Sequence, residues 1–364
     1  MGPEARTAVP WLSHAGMVKE VVSGLLEERA FGTSGLNENI RSGALASKQF
    51  EPMKGIGVLI IGESLRADSF LRNSRGEWSR ALNARLNDGL GLRLPDACAG
   101  SNSTFFSVPR LLTAVDVADV DGAKRNPTLL AIAKAGGAIT AYINNHEIWV
   151  VPETGHHFLA KTASMQINAF DGVAVEALSD FIQRTGAGPK AAVLHLYGQH
   201  FHYQDRYPAL MFPPEPDGLD ADALLELRYG RSAEYTVRVL LRAAEILDAQ
   251  IEPSFLVFTS DHGENLPSDK TGKRFHAGPS SGKFDTTVPV VVLWNRAFAA
   301  TGKPRRLEGL AKVQGLIAHR DVANAWLALE GKPGDVIPTS QPMTWGAVVP
   351  GQALGAISCA TLPP

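Results

Sequence analysis

Four apolar runs punctuate the chain: Gly57-Val58-Leu59-Ile60-Ile61-Gly62, Ala191 to Tyr197 with His195 its one polar member, Phe255-Leu256-Val257-Phe258 and Val288 to Trp294. Strands that alternate apolar and polar residues cover one face. Runs apolar throughout fit strands buried on both faces, as in a parallel sheet between helices. Pro289 marks the start or the edge of the last one. Shorter strands are predicted at Leu92–Leu94 and Gly137–Ile143. Between them the period changes to that of helices. Such segments occupy 16–30 (Val18, Val21, Val22, Leu25, Leu26), 77–88, 126–135, 171–184, 220–250, 306–318 and 320–330. The third opens with Asn126 as cap and Pro127 at the first position. The fifth is the longest, with Leu224, Leu227, Val237, Leu240, Leu241 and Leu247 apolar and Gly230 as a candidate interruption. Residues 31–54, 144–158, 209–219 and 265–275 read as loops. Strands alternating with helices predict an α/β fold with a mostly parallel central sheet. Three parts are expected: a helix and linker arm over 1–54, the α/β domain over 55–330, and an irregular tail over 331–364 packed on it.

Composition narrows the picture. The chain has 364 residues, 45% hydrophobic and 20% charged, enough for a large core. Its formal net charge of −2 and the lack of a basic stripe argue against nucleic acid as a partner. No apolar run approaches the ~20 residues of a spanning helix, and no signal peptide is visible. The expectation is a soluble chain, either natural or cut from a longer membrane protein. Cys98 and Cys359 allow one disulfide and form no metal motif; whether they pair stays open.

The chemistry gathers where apolar runs end, the place where open α/β sheets put their sites. The first run leads into Glu63. The second contains His195 and is followed, past Gly198, by His200. The third ends in Asp261-His262-Gly263. An acid beside an imidazole suits Zn²⁺. Adjacent residues of a strand face opposite ways, so both reach one ion only where the strand breaks, which Gly263 permits. His276 follows the 265–275 loop. Thr104 lies among small polar residues before an apolar helical run, at a helix start whose N–H groups and dipole favour an anion. Each has an ordinary reading: an N-cap, a helix-start acid, a satisfied core histidine. Holding all of them to it at once is harder. His146, His156 and His157 are read as surface loop histidines.

These residues fall in stretches that resemble one family, the phosphoethanolamine transferases of Gram-negative bacteria, within the alkaline phosphatase superfamily. The stretches are Val58–Asp68 (VLIIGESLRAD), Gly100–Pro109 (GSNSTFFSVP), Leu194–Pro208 (LHLYGQHFHYQDRYP), Ser260–Leu266 (SDHGENL) and His276–Pro289, with weaker likeness at Tyr229–Thr236 and His319–Leu329. They occur in the family's order over roughly 55–330. The resemblance implies a mixed sheet between helices with the site at strand carboxyl ends. It implies Thr104 as the nucleophile that carries phosphoethanolamine covalently, and Glu63, Asp261 and His262 as its partners on a catalytic Zn²⁺. His200 and His276 match residues of a second metal or substrate phosphate site, and His195 a histidine close to it. Where the lipid A-modifying branch has cysteines flanking the threonine segment, this chain has Gly100 and Arg110. The family's N-terminal membrane domain is absent.

The implied reaction is ping-pong transfer from phosphatidylethanolamine to a glycan or lipid of the cell envelope, at the periplasmic face of the inner membrane, by a monomer. Membrane contact would come through the missing N-terminal domain. A phosphoglycerol transferase or phosphodiesterase would use the same residues, and a non-catalytic binding module on a decayed fold is the reading from another class. A sulfatase needs Cys or Ser, any residue, Pro, any residue, Arg; Ser107-Val108-Pro109-Arg110 lacks the residue between Pro and Arg.

Overall fold

The computed structural model describes residues 50–72, 75–119, 121–146 and 164–364. The segment 16–30, most of the arm, His156 and His157 lie outside them. Among these residues the strands are β1 (Ile56–Gly62), β2 (Gly91–Arg93), β3 (Ala97–Cys98), β4 (Ile139–Asn144), β5 (Met165–Gln166), β6 (Lys190–His195), β7 (Ser254–Ser260), β8 (Thr287–Val288), β9 (Val290–Trp294), β10 (Ile317–Ala318), β11 (Met343–Gly346) and β12 (Gly355–Ser358). Seven form the central sheet in the order β2-β9-β7-β1-β6-β4-β5. The five strands from β7 to β5 run parallel, and β9 opposes its neighbours. The fold is the expected α/β architecture, with a mostly parallel, mixed sheet.

The unbroken apolar run of β1 is explained by its two covered faces. Leu59 and Ile61 join one core with Val108, Leu111 and Leu112 of the helix Thr104–Thr113 and Val322, Trp326 and Leu329 of the helix His319–Glu330. Val58 and Ile60 join the other core, with Leu82, Leu178, Leu240 and Leu247 from the helices Glu77–Asn87, Asp171–Arg184 and Ala221–Asp248.

Several expectations need correction. Gly230 does not break the long helix, which runs unbroken through Ala221–Asp248; its packed apolar face outweighs the ~1 kcal/mol that glycine costs. The helix near 126–135 starts at Leu129, capped by Thr128, whose side chain accepts from Ala131 N at 3.2 Å, not by Asn126. The segment 306–318 is no single helix: it comprises two short helical turns and β10. Pro289 separates β8, in the small sheet β10-β3-β8, from β9 in the main one. The tail is not irregular throughout, since β11 and β12 form an antiparallel hairpin. Cys98 and Cys359 form a disulfide that closes a separation of 261 residues; such cross-links typically add about 2–4 kcal/mol. The hairpin also meets the residues before Thr104. Trp345 N donates to Gly100 O at 2.9 Å, and Arg110 lies over the Trp345 ring at 5.4 Å.

Glu330 lies under the amino end of β1, away from the strand ends just described. It is fully buried, neither carboxylate oxygen has a hydrogen-bond partner, and a Cβ on Gly57 would fall 2.0 Å from Oε2. Burial pushes its carboxyl from 4.5 to about 8, opposed by Lys303. A raised carboxyl takes up a proton on folding. The resulting penalty is absent below pH 4.5, grows as pH rises to about 8, and is constant above. Glu330→Gln is therefore expected to leave stability unchanged near pH 4.5 and to raise it by roughly 1–3 kcal/mol at pH 8, at ~1.4 kcal/mol per pKa unit. Urea midpoints at both pH values check this; an equal gain at both would show that the carboxyl does not titrate as described.

Candidate active site

Because β1, β6, β7 and β4 are parallel, their carboxyl ends share one edge of the sheet. Gly62 pairs with Ser260, Ile61 with His195, and Asn144 with His195. The residues just beyond these ends are therefore neighbours. Two glycines allow the tight approach. Gly198 has φ +45°, and a Cβ there would sit 2.6 Å from Glu63 N. At Gly263 the reason is packing rather than a left-handed turn: a Cβ would sit 2.1 Å from the Phe284 carbonyl oxygen. Ser64, Phe275 and Ala277 take positive φ without being glycine. Such strain gathers at functional sites, and these three flank Glu63 and His276.

Thr104 opens its helix, with Ser103 as N-cap in extended conformation. Its Oγ1 donates to Glu63 Oε2 at 3.1 Å and lies 3.2 Å from His262 Nε2. His262 Nε2 is also 3.4 Å from Glu63 Oε1 and 3.3 Å from Asp261 Oδ2. Asp261 Oδ1 accepts from the backbone N–H of Ser64 (3.1 Å) and of His262 (2.7 Å). Oδ2 has no hydrogen-bond partner.

The donor set fits a cation. His262 Nδ1 lies 2.8 Å from Gly263 O, which can only accept, so the ring's proton is there and Nε2 presents a lone pair. Burial and the nearby His276 lower its pKa to about 3, so the ring stays neutral. That lone pair faces oxygens of two buried carboxylates, with only the Thr104 and Ser64 hydroxyl protons, both on Glu63, among them. Burial and the facing Glu63 carboxylate push Asp261 well above the usual range. Burial would raise Glu63 too, but His262 and His146 hold it well below. A divalent ion removes this conflict. The spacings around His262 Nε2 also agree: a tetrahedron with ~2.0–2.1 Å bonds has edges of roughly 3.3–3.4 Å, against 3.2, 3.3 and 3.4 Å here to Thr104 Oγ1, Asp261 Oδ2 and Glu63 Oε1. Glu63, Asp261, His262 and Thr104 would hold such an ion.

His276 closes this side. Its ligand atom groups with those of Glu63 and His262 within 4.8 Å. His276 Nδ1 meets Ser64 Oγ at 3.1 Å and Glu264 Oε2 at 3.3 Å, and Tyr203 donates to the same Glu264 oxygen at 3.0 Å. Burial lowers His276, but the Glu264 carboxylate outweighs it and lifts the ring to about 9. On the other side Glu63, His146 and His200 form a second group within 4.8 Å. His195 stands one ring behind. It is buried, its Nδ1 is 3.3 Å from Tyr142 Oη, and its ring stacks on His146 at 4.9 Å. It belongs to neither group. His146 is not the surface histidine expected: only 6% of it is exposed. It follows β4 as Glu63 follows β1, and the strand-end rule would have found it had β4's alignment with β6 been known.

Other residues, to which the sequence assigned no role, brace the site, although Arg66, Tyr229 and His319 lie in stretches of the family resemblance. Tyr229 Oη donates to Ser64 O at 2.8 Å and accepts from Arg66 N at 3.0 Å. Arg66 forks onto both Asp269 oxygens at 2.8 and 2.7 Å, tying the loop before His276 to the β1 end. Asp171 accepts from Tyr197 N and Gly198 N, holding the turn that carries His200. His319 Nε2 donates to Ser260 O at 3.0 Å, and Gly100 N donates to its Nδ1 at 3.3 Å. It thereby ties the Thr104 segment to the end of β7.

A family model described as Sulfatase matches residues 56–332. The putative transferase YhbX of Escherichia coli (strain K12) is 26% identical over 298 residues, covering 80% of this chain and 51% of that protein. The chain thus spans about half the length of this curated relative. Among solved structures, the C-terminal periplasmic domain of EcEptC from Escherichia coli in complex with Zn superposes with a TM-score of 0.71 at 21% identity, covering 86% of this chain and 94% of that one. The soluble domain of lipooligosaccharide phosphoethanolamine transferase A from Neisseria meningitidis gives 0.63 at 20% identity, covering 76% and 88%. At these identities the superpositions show a shared fold.

Proposed function

Because the chain belongs to the sulfatase family, we propose that it is a metal-dependent phosphoethanolamine transferase of that family, with Thr104 as nucleophile and zinc as the resident metal. The observation that carries this is the convergence of Thr104 Oγ1 on Glu63 and His262 at 3.1 and 3.2 Å, at a helix start. Sulfatase chemistry fits less well. Ser107, the nearest match to a formylglycine precursor, is turned away: its Oγ donates to Asp261 O at 2.5 Å and lies 3.2 Å from His319. The relatives named as transferases support the reading, as does the Zn complex of the EcEptC domain.

Bound zinc would lower the Thr104 hydroxyl's pKa and neutralise phosphoryl charge. The chain's own residues do the rest. Glu63 Oε2 accepts the Thr104 proton and aligns Oγ1. Oγ1 attacks the phosphorus of phosphatidylethanolamine, the bond to the glycerol oxygen breaks, and that oxygen leaves as diacylglycerol after taking a proton. The helix N-terminus faces the charge on the phosphoryl oxygens. An acceptor hydroxyl or phosphate oxygen of an envelope lipid or glycan then attacks the phosphothreonine, and the bond to Oγ1 breaks. His276, whose ring is raised to about 9 beside Glu264 and so holds a proton, relays protons to the departing oxygen and from the acceptor. The work would take place at the periplasmic face of the inner membrane. Among the described residues no helix is long and apolar enough to cross a membrane.

The test is intact mass after incubation of the chain with zinc and phosphatidylethanolamine or phosphatidylglycerol. A phosphoethanolamine adduct with the first lipid alone is expected. A phosphoglycerol adduct would move the donor and keep the nucleophile. Neither adduct nor lipid cleavage would overturn the reading.

A further inference from the structure

We infer that His146 is a metal ligand: with Glu63 Oε2 and His200 it forms a second cation site, joined to the first through the Glu63 carboxylate. His146 Nε2 lies 3.0 Å from Glu63 Oε2, and the ligand atoms of all three residues lie within 4.8 Å of one another. Glu63 is well placed to bridge, because its other oxygen, Oε1, is the one near His262 at 3.4 Å.

His200 supplies the second nitrogen. Its Nδ1 is 3.0 Å from Phe201 O, a pure acceptor, so Nδ1 holds the ring proton and Nε2 is left as a donor atom for a metal. Burial lowers its pKa to about 4, in keeping with a neutral imidazole. Two imidazoles and a carboxylate are zinc-type ligands.

The position of His146 is built rather than incidental. Its backbone carbonyl accepts from Asn144 Nδ2 at 2.8 Å and from Gln166 Nε2 at 3.1 Å. Its ring is stacked on His195 at 4.9 Å and 15° and meets Tyr197 edge-on at 5.4 Å. The neighbouring Asn145 is fastened to Asp171 at 2.8 Å, so the same carboxylate that braces the His200 turn braces the His146 turn. Outer partners of this kind orient metal ligands. The plainer account is a simple Glu63–His146 ion pair. It leaves unexplained why Glu63, whose Oε1 already meets Ser64 Oγ at 2.8 Å and His262 and whose Oε2 already meets Thr104 Oγ1 at 3.1 Å, should have a second imidazole brought to Oε2.

This inference rests on Glu63 being a metal ligand and is independent of the donor lipid. The test counts metal. Wild-type chain, His146→Ala and His146→Gln are dialysed against buffered Zn²⁺, and bound zinc is measured per chain. Wild type is expected to take two equivalents. Both variants are expected to keep the first and to bind the second at least about tenfold more weakly, the scale of lost ligand support. The retained equivalent reports that the variants fold. Wild type gives a second reading: the His146 ring-nitrogen NMR signal should move only with the second equivalent. One equivalent on wild type, two equally tight equivalents on both variants, or an unmoved His146 signal would each overturn the inference. Two bound metals without transfer from phosphatidylethanolamine would sink the donor assignment and leave this site standing.

Discussion

Thr104→Ala is expected to abolish the covalent adduct and to lower transfer by at least about a thousandfold, the scale seen when a covalent nucleophile is removed. The fold and the metal content should survive, because the residue is a buried polar helix start outside the apolar core: three other ligands remain, and the helix keeps its apolar face on Leu111 and Leu112. Thr104→Ser retains the oxygen and should retain much of the adduct. Intact mass and turnover, read beside the melting temperature, decide the matter. An alanine variant that still gains the mass of phosphoethanolamine would relocate the nucleophile, and the 3.1 Å contact with Glu63 would become an ordinary hydrogen bond.

The second large effect is on the metal. Glu63 is the residue common to both ligand groups, so Glu63→Gln removes one negative charge from each. Zinc affinity should fall by about a hundredfold or more, the upper range even for lost outer partners. Metal-free stability should move the other way. In the absence of metal, wild type buries Glu63 and Asp261 facing one another, and Asp261 is pushed well up by burial and by that neighbour. A neutral amide relieves the repulsion and can donate to Asp261. The metal-free variant should thus unfold at an equal or higher temperature than metal-free wild type, yet gain nothing from added zinc. This crossing is the signature of a site whose charge is kept for function at a cost in stability. Paired melting curves with and without zinc check it. Wild-type zinc affinity in Glu63→Gln would remove Glu63 from the ligand set.

Part of the site was legible because its residues sit on local signals. Glu63 and Asp261-His262 follow apolar runs that could only be buried strands, and a buried strand that ends in acids and imidazoles points to chemistry there. Thr104 was legible from small polar residues before an apolar helical run. His146 was missed for a related reason. Its strand, β4, begins with exposed and half-buried residues at Ile139 and Thr140, so its run is short and its end gave no comparable signal. Local patterns misled elsewhere too. Asn126-Pro127 looked like a helix start, but the cap fell two residues later on Thr128. Gly230 looked like a break, but packing on β7 and β9 decides a helix of 28 residues, not one glycine.

The sequence by itself determined the α/β class, because two-sided burial demands unbroken apolar strands and the chain alternates them with helices. It also determined which residue types end those strands, and so the chemistry on offer. What only the tertiary structure decided is which of them meet. The strand order β7-β1-β6-β4 puts Asp261, Glu63, His200 and His146 along one edge, although they are scattered over some two hundred positions of sequence. The same holds for the tautomers of His262 and His200, fixed by the carbonyls of Gly263 and Phe201, and for the disulfide between Cys98 and Cys359. The disulfide closes a separation across the fold, and the two tautomers follow from how the strand-end turns aim the next residue's carbonyl at each ring. Periodicity reports the environment of a side chain, and cannot report its partner.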